Sequence, residues 1–411
     1  MHATASPPGA DVKVPDLSAL EYILHPMPVE VFLNEYWEKK VLHISRNQPD
    51  YYKRLFTLRD LDAFLGHTLT NDEVRSAKEG KVIYPRVEGE SKTTLYQFYE
   101  LYRTGYTPVV RNIHLFWEPI GEIANELALA FGCFISTHMY ATPENSQGFS
   151  SHWDDHDIFA LQLEGEKEWR LYDTGPTLPR YSQDRNDYQR QHPTLGQASQ
   201  IIDLKAGDLL YFPRGVIHEP RTRTCSSLHL TYGLYPDAWE HLVTESIHEL
   251  AEKEPLLQEG LPFGFSKNAA AGEALQPRAA EMAARVIQEA RFEESRSRLA
   301  ARVLGRIAPL ADGHFGRLDD VAKVDLETRL EKRKSMVGVV LPQGAGVKLH
   351  YPGGTYTASA ALAPALHFMT RQDGFCVRDI PGQASERERL DLVRELIQVG
   401  FLKVADPRNA R

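Results

Sequence analysis

The chain has 411 residues, 42% of them hydrophobic and 25% charged, with a formal net charge of -9. That length exceeds one ordinary core and implies two or three domains, and the proportions are those of a globular chain, not a disordered one. The acidic balance gives no global reason to expect nucleic acid as the main partner. The three cysteines, Cys133, Cys225 and Cys376, are far apart and odd in number, which argues against a disulfide framework or a paired-cysteine zinc site. With no membrane-length apolar run and no signal-type apolar stretch at the start, the expectation is a soluble, cytoplasmic protein.

Residues 1–17 are rich in Ala, Ser, Pro and Gly without periodicity and read as a flexible leader. Ser18 to Leu24 reads as a short helix. Val29 to Lys39 reads as a second, with Val29, Phe32, Leu33, Tyr36 and Trp37 at helical spacing as packing groups. Val41 to Ile44 reads as a strand and Leu58 to Leu65 as a helix, after which Asn71 to Lys92 alternates polar and β-branched residues between turns. His43 and His67 stand alone and read as surface or hydrogen-bonded side chains. Tyr96 to Tyr102 and Pro119 to Phe131 are amphipathic helices with apolar stripes for packing.

From Cys133 the pattern changes to period two, and short strand candidates follow at 158–163, 167–172, 201–204, 208–212 and 227–235. Many short strands with Gly and Pro between them predict a sandwich or jelly roll, which encloses small-molecule sites between its sheets. Pro176 to Gln200 is polar and reads as a loop. After Pro236 the pattern turns helical, at Ala238 to Lys253 and along Pro277 to Ile307, with a linker at 255–274 between. The apolar stripe of the second helix suits a homodimer contact or packing on its own β domain. The end of the chain combines strands at 337–341, 347–351 and 401–404 with helices at 358–369 and 385–399, an order that predicts a winged-helix-like module. The expected division is a leader at 1–17, a β domain with an N-terminal helical segment at 18–235, a helical region at 236–308 and a C-terminal domain at 309–411.

Ser151-His152-Trp153-Asp154 approaches the first of those central strands. Residues two apart on an extended segment point the same way, so His152 and Asp154 can face one metal ion while Trp153 faces away. A third candidate, His218, closes the run from Gly207 and follows the turn Pro213-Arg214-Gly215. Two imidazoles and a carboxylate form the ligand set of a non-haem Fe(II) site with open positions. His-x-Asp alone is a weak signal among 16 histidines. His156 is read as substrate-facing or as a support to the ligands, and a zinc site of His152, His156 and His218 stays open as the alternative. If Trp169 and Leu171 point inward past the turn Glu164-Gly165-Glu166, parity sends Lys167 inward too. A buried lysine needs an anion, so an inward Lys167 implies a carboxylate ligand; otherwise it is an exposed hairpin charge.

Three stretches, Gln147 to Asp155, Phe159 to Tyr172 and Gly207 to His218, taken in order, strongly resemble the cupin-type JmjC oxygenases of the ribosomal-oxygenase branch. Phe32 to Lys40 is similar to that family's N-terminal helix. The resemblance implies an α+β protein built on a double-stranded β-helix (jelly roll, cupin), followed by a helical dimerisation region and a C-terminal winged-helix-like domain. It implies Fe(II) on His152, Asp154 and His218, with 2-oxoglutarate as cosubstrate and O2 as oxidant. Lys167 would hold the distal carboxylate of 2-oxoglutarate, helped by the hydroxyl of Tyr140. The implied activity is hydroxylation of an amino-acid side chain, Arg or His favoured, in a ribosomal protein or another peptide or protein. A JmjC-type demethylase and a non-catalytic cupin-like binding protein are the alternatives. Two departures touch the pocket lining: His138 stands where the family has a polar amide, and Pro220 follows closely on the last ligand. Asp155, Asp157 and Glu219 near the mouth would suit a cationic target.

Overall fold

The period-two pattern that begins at Cys133 becomes two facing antiparallel sheets that share one long strand. The computed structural model describes residues 3–4, 18–67, 73–85, 95–173, 175–179, 195–266 and 269–405. Most of the expected leader and of the polar loop at 176–200 lies outside them, while Ala3–Thr4 pairs in parallel with Ile44 and Ser45 as a short edge strand. Two compact units are present, Met1–Pro236 and Asp237–Arg411.

The first unit opens with helix α1 (Ala19–Leu24), started by a capping box in which the Ser18 hydroxyl accepts from Glu21 N while the Glu21 carboxylate accepts from Ser18 N. Helix α2 (Val29–Glu35) is shorter than its apolar spacing predicts, because Glu38 takes a left-handed φ of 56° and turns the chain. Of its predicted packing stripe, Phe32 is fully buried and Leu33 is exposed. Strand β1 (Leu42–Ser45), helix α3 (Leu58–His67), strands β2 (Val74–Lys78) and β3 (Lys81–Ile83) and helix α4 (Leu95–Arg103) follow. Strand β4 (Thr107–Arg111) was not predicted, since Pro108 speaks against a strand interior. Helix α5 (Glu118–Phe131) carries Pro119 in its first turn and ends at Gly132, which takes a left-handed φ of 58°.

The strands that carry the site are β5 (Phe134–Thr142), β6 (Asp157–Tyr172), β7 (Gln200–Lys205), β8 (Leu209–Phe212), β9 (Ile217–Arg221) and β10 (Ser227–Tyr235). The larger sheet runs β1-β8-β6-β10-β5-β4-β2-β3, and the smaller places β7 and β9 on the far half of β6. The predicted tight turn at Glu164-Gly165-Glu166 does not form; β6 runs straight through it and changes sheets there. Gly165 makes this possible, with φ of 67° and a hydrogen where a Cβ would lie 1.9 Å from the Ser226 carbonyl oxygen, beside a register shift at Leu228/His229. Between the sheets Ile158, Ala160, Trp169, Leu171, Leu204, Leu210 and Phe212 form a buried core. This is a cupin-like double-sheet fold with flanking helices.

The second unit contains helix α6 (Trp239–Ala251), then α7 (Ala269–Glu289) and α8 (Phe292–Leu304). The single long helix predicted over 277–307 is two helices broken at Ala290 and Arg291, and Pro277 lies inside α7 instead of opening a helix. The predicted linker at 255–274 ends early for the same reason. Strands β11 (Arg329–Lys332), β12 (Val339–Gln343), β13 (Gly346–Tyr351) and β14 (Gly354–Ser359) lead to helix α9 (Ala363–Arg371), strand β15 (Gly374–Cys376), helix α10 (Glu386–Gln398) and strand β16 (Leu402–Val404). They form two small sheets, β15-β11-β16 and β12-β13-β14, over a core that includes Leu349, Leu366, Met369, Val393, Leu396 and Phe401. Helix α9 starts later than predicted because the chain stays extended through β14 to Ser359.

Candidate active site

The His-x-Asp segment is fastened to the start of β9 by backbone pairing. His152 N donates to His218 O at 3.1 Å and His218 N donates to His152 O at 2.8 Å, so the two histidines face each other across an antiparallel bridge. Trp153, the residue between the two predicted ligands, points the other way and is buried with Tyr172 and Ile217 as an anchor. The turn before β9 completes the frame: Gly215 N donates to the Asp154 carbonyl at 2.8 Å, and Gly215 adopts a left-handed φ of 88°.

His152, Asp154 and His218 present one ligand atom each, all within 4.8 Å of one another, and are the only such His/Cys/Asp/Glu group among the described residues. The Asp154 carboxylate oxygen lies 3.8 Å from His152 Nε2 and 3.6 Å from His218 Nε2. Each imidazole donates its other nitrogen to a backbone carbonyl, His152 Nδ1 to Ser150 O at 2.8 Å and His218 Nδ1 to Val216 O at 3.1 Å. That bond fixes the tautomer and leaves the Nε2 lone pair aimed at the common centre, as a metal ligand requires. Burial pushes the His218 imidazole down to about 3, so it is neutral and able to ligate at physiological pH. Three donors on one side leave the opposite positions open, which fits Fe(II). The zinc alternative does not assemble, because His156 is turned away to Asp155 at 3.1 Å.

Lys167 is 3% exposed, as the inward parity of Trp169 and Leu171 predicts. Its Nζ donates to Thr142 Oγ1 at 2.7 Å and lies 3.4 Å from His229 Nδ1, and burial pushes its ammonium down to about 7. No carboxylate of the described residues pairs with it. A buried ammonium held between a hydroxyl and an imidazole, with no carboxylate partner among the described residues, fits the carboxylate of a small acid. Tyr140 stacks on His229 with ring centroids 4.7 Å apart and planes 6° from parallel, and burial together with the Asp154 charge raises its phenol. Tyr140 thus lines the same pocket.

Thr142 and His229 were missed in the sequence, although both are polar residues at inward parity of their strands, the signal that could have found them. His138 also faces inward, its Nδ1 within 3.4 Å of the Asn112 N–H, and burial lowers it to about 3. The predicted acidic mouth does not hold as a group. Asp157 is fully buried, taking bonds from Arg214 at 2.8 Å and Tyr211 at 2.9 Å, and Glu219 accepts from Tyr172 at 2.9 Å. Asp157 is thereby tied into the scaffold, and Asp155 holds the His156 ring.

A cupin-like double sheet thus carries a cluster of two histidines and an aspartate of the kind that leaves metal positions open, together with a buried lysine. Residues 116–242 match the JmjC domain family, so the chain carries a JmjC domain. Among curated proteins, it is 34% identical over 271 residues to the bifunctional lysine-specific demethylase and histidyl-hydroxylase NO66 of Dictyostelium discoideum, covering 63% of this chain and 52% of that protein. It is 32% identical over 272 residues to ribosomal oxygenase 2 of Rattus norvegicus, covering 60% and 54%. The chain thus spans about half the length of these curated relatives. The Escherichia coli ribosomal oxygenase YcfD, solved in complex with cobalt and 2-oxoglutarate, shares the fold at a TM-score of 0.53 and 14% identity, covering 93% of this chain and 99% of that one.

Proposed function

We propose that the protein is an Fe(II)- and 2-oxoglutarate-dependent oxygenase that hydroxylates an amino-acid side chain, Arg or His favoured, in a ribosomal protein or another peptide or protein. The observation that carries this reading is the pairing of an open His-Asp-His cluster with a buried lysine that has no carboxylate partner among the described residues. The names of the curated relatives, and the cobalt and 2-oxoglutarate bound by the E. coli neighbour, support it.

In this reading His152, Asp154 and His218 hold the metal, and Lys167 with Thr142 and Tyr140 receives the distal carboxylate of 2-oxoglutarate. When bound, Fe(II), 2-oxoglutarate and O2 supply the oxidising chemistry, with succinate and carbon dioxide as by-products. The chain's own work is positioning. The backbone carbonyls of Ser150 and Val216 lock the two imidazoles, while Trp169 and Phe212 pack within 5.9 Å and 4.7 Å, respectively, of the His218 ring centroid and exclude water from that side. Succinate release that requires Fe(II) and 2-oxoglutarate and is lost in Asp154→Ala tests the reading; formaldehyde release from a methylated peptide would mark the demethylase instead.

We further read residues 309–411 as winged-helix-like, since α9, β15, α10 and β16 follow in alternating order and β11 joins β15 and β16 in one sheet. A homodimer formed through the helical region is supported by Trp239, Val243 and Ile247, 83%, 43% and 38% exposed, which recur every fourth residue along α6. No helix among the described residues is long and apolar enough to cross a membrane, and three free cysteines agree with a reducing cytoplasm.

A further inference from the structure

The inner face of the larger sheet carries a second cation besides Lys167. Register sets Arg75 of β2 opposite Val109 of β4, Val109 opposite Tyr140 of β5, and Tyr140 opposite His229 of β10. Residues paired across strands share a face, so Arg75 points to the side on which Tyr140 and His229 line the pocket. Its guanidinium carbon lies 5.6 Å from the Phe149 ring centroid, and that ring lies 6.1 Å from the His152 ring and 6.3 Å from that of Tyr140. Phe149 therefore links the guanidinium to the metal-ligand cluster. Burial is the largest influence on the titration of His138 and Tyr140, and the Arg75 charge adds a smaller downward push at both.

That cation is uncompensated. Glu73, two residues earlier on the same face, is engaged by Asn112 Nδ2 at 3.2 Å and Arg111 Nε at 3.8 Å. Arg75 makes no hydrogen bond or ion pair among the described residues, and its Nε is buried without a partner. The terminal nitrogens are unpaired as well but are not shut away, and Arg75, His138, Tyr140, Phe149 and His152 are all partly exposed. The site is thus open beside them. A guanidinium presents a fork of donors that matches a carboxylate, and left unpaired it forfeits those bonds.

We propose that Arg75 is a specificity-determining residue that receives a carboxylate of the polypeptide substrate, an aspartate or glutamate side chain close in sequence to the residue that meets the metal. This rests on the oxygenase reading and deepens it. In that reading one carboxylate of 2-oxoglutarate goes to Lys167 and the other to the metal, so Arg75 is left to the primary substrate. One free positive charge matches a carboxylate better than a dianionic phosphate, because Arg111 is already tied to Glu73. The steps of 5.6 Å and 6.1 Å across Phe149 bound the reach: at about 3.3 Å per extended residue, the acidic residue lies within about three positions of the reacting one.

The test uses the full chain loaded with Co(II) and 2-oxoglutarate, titrated with short peptides centred on histidine or arginine. Each carries one glutamate, or one glutamine in its place, at one of those positions. The wild type binds at least one glutamate peptide roughly three- to tenfold more tightly than its glutamine twin, as a half-buried charge pair should. Arg75→Ala and Arg75→Gln each bring that ratio to about one, while their 2-oxoglutarate affinity stays within about twofold of wild type. A loss of stability alone does not move the ratio, and Arg75→Gln keeps a side chain on Phe149 if Arg75→Ala does not fold. Equal binding of every glutamate peptide and its twin by the wild type overturns the proposal, as does a preference that survives in either variant. Failure of all the peptides to bind a protein that has bound 2-oxoglutarate overturns it too. So does a fall in 2-oxoglutarate affinity of about tenfold or more in both variants, which would assign Arg75 to the cosubstrate. Failure of the wild type to bind 2-oxoglutarate would instead remove the oxygenase reading itself.

Discussion

Replacing Lys167 by alanine separates a cosubstrate anchor from an ordinary buried lysine. Its Nζ is 2.7 Å from Thr142 Oγ1 and 3.4 Å from His229 Nδ1, and neither neighbour is an anion. A hydrogen bond to a charged group contributes about 1.5–3 kcal/mol, so losing the ammonium should weaken 2-oxoglutarate binding by roughly 10- to 150-fold. The assay is anaerobic calorimetric titration of the Co(II)-loaded protein. A 2-oxo acid without a distal carboxylate serves as the control, because it should bind wild type and Lys167→Ala alike. The metal should bind both proteins equally, since Lys167 touches none of His152, Asp154 or His218. Equal affinity of the two proteins for 2-oxoglutarate would refute the reasoning and leave Lys167 as a scaffold group.

The same residue gives a pH signature. Burial lowers the Lys167 ammonium from the ordinary 10.5 to about 7 in the folded protein, so between those values the unfolded chain carries a proton that the folded one lacks. Stability without ligand should therefore rise with pH across that window, with the full penalty of the buried charge present below it. The 2-oxoglutarate affinity should run the other way, falling above pH of about 7 towards tenfold per unit, and both trends should flatten in Lys167→Ala. Urea melts and titrations across pH check them. Gly165→Ala should destabilise the first unit by at least about 1–2 kcal/mol in urea melts, since φ is left-handed and the new Cβ meets the Ser226 carbonyl. If the Trp239, Val243 and Ile247 face joins two copies, light scattering gives a dimer mass and Trp239→Glu a monomer; a monomeric wild type removes the dimer.

The candidate ligands were legible because their order along the chain carries the chemistry: a period-two segment puts His152 and Asp154 on one face, and a Pro-Arg-Gly turn delivers His218. The burial of Lys167 was legible by the same parity. What sequence could not show was where a strand continues. Glu164-Gly165-Glu166 has the composition of a turn, yet Gly165 lets β6 pass from one sheet to the other, a choice made by the close approach of Ser226. Pro108 hid β4 in the same way. Thr142 and His229 look like ordinary strand residues until the register places them opposite Ser227 and Tyr140, and the acidity of Asp157 is cancelled by Arg214 from a distant turn. Long-range pairing decides each of these cases, and local composition marks at most the polar, inward parity of Thr142 and His229.

The central claim is that His152, Asp154 and His218 hold an iron that turns over 2-oxoglutarate. The most direct measurement is succinate release by the purified chain with Fe(II), 2-oxoglutarate and O2, set beside Asp154→Ala under the same conditions. The wild type should release succinate only with iron present, and the variant should lose both iron binding and succinate release. A wild-type protein that binds neither Fe(II) nor 2-oxoglutarate, or a variant that releases succinate at the wild-type rate, contradicts it.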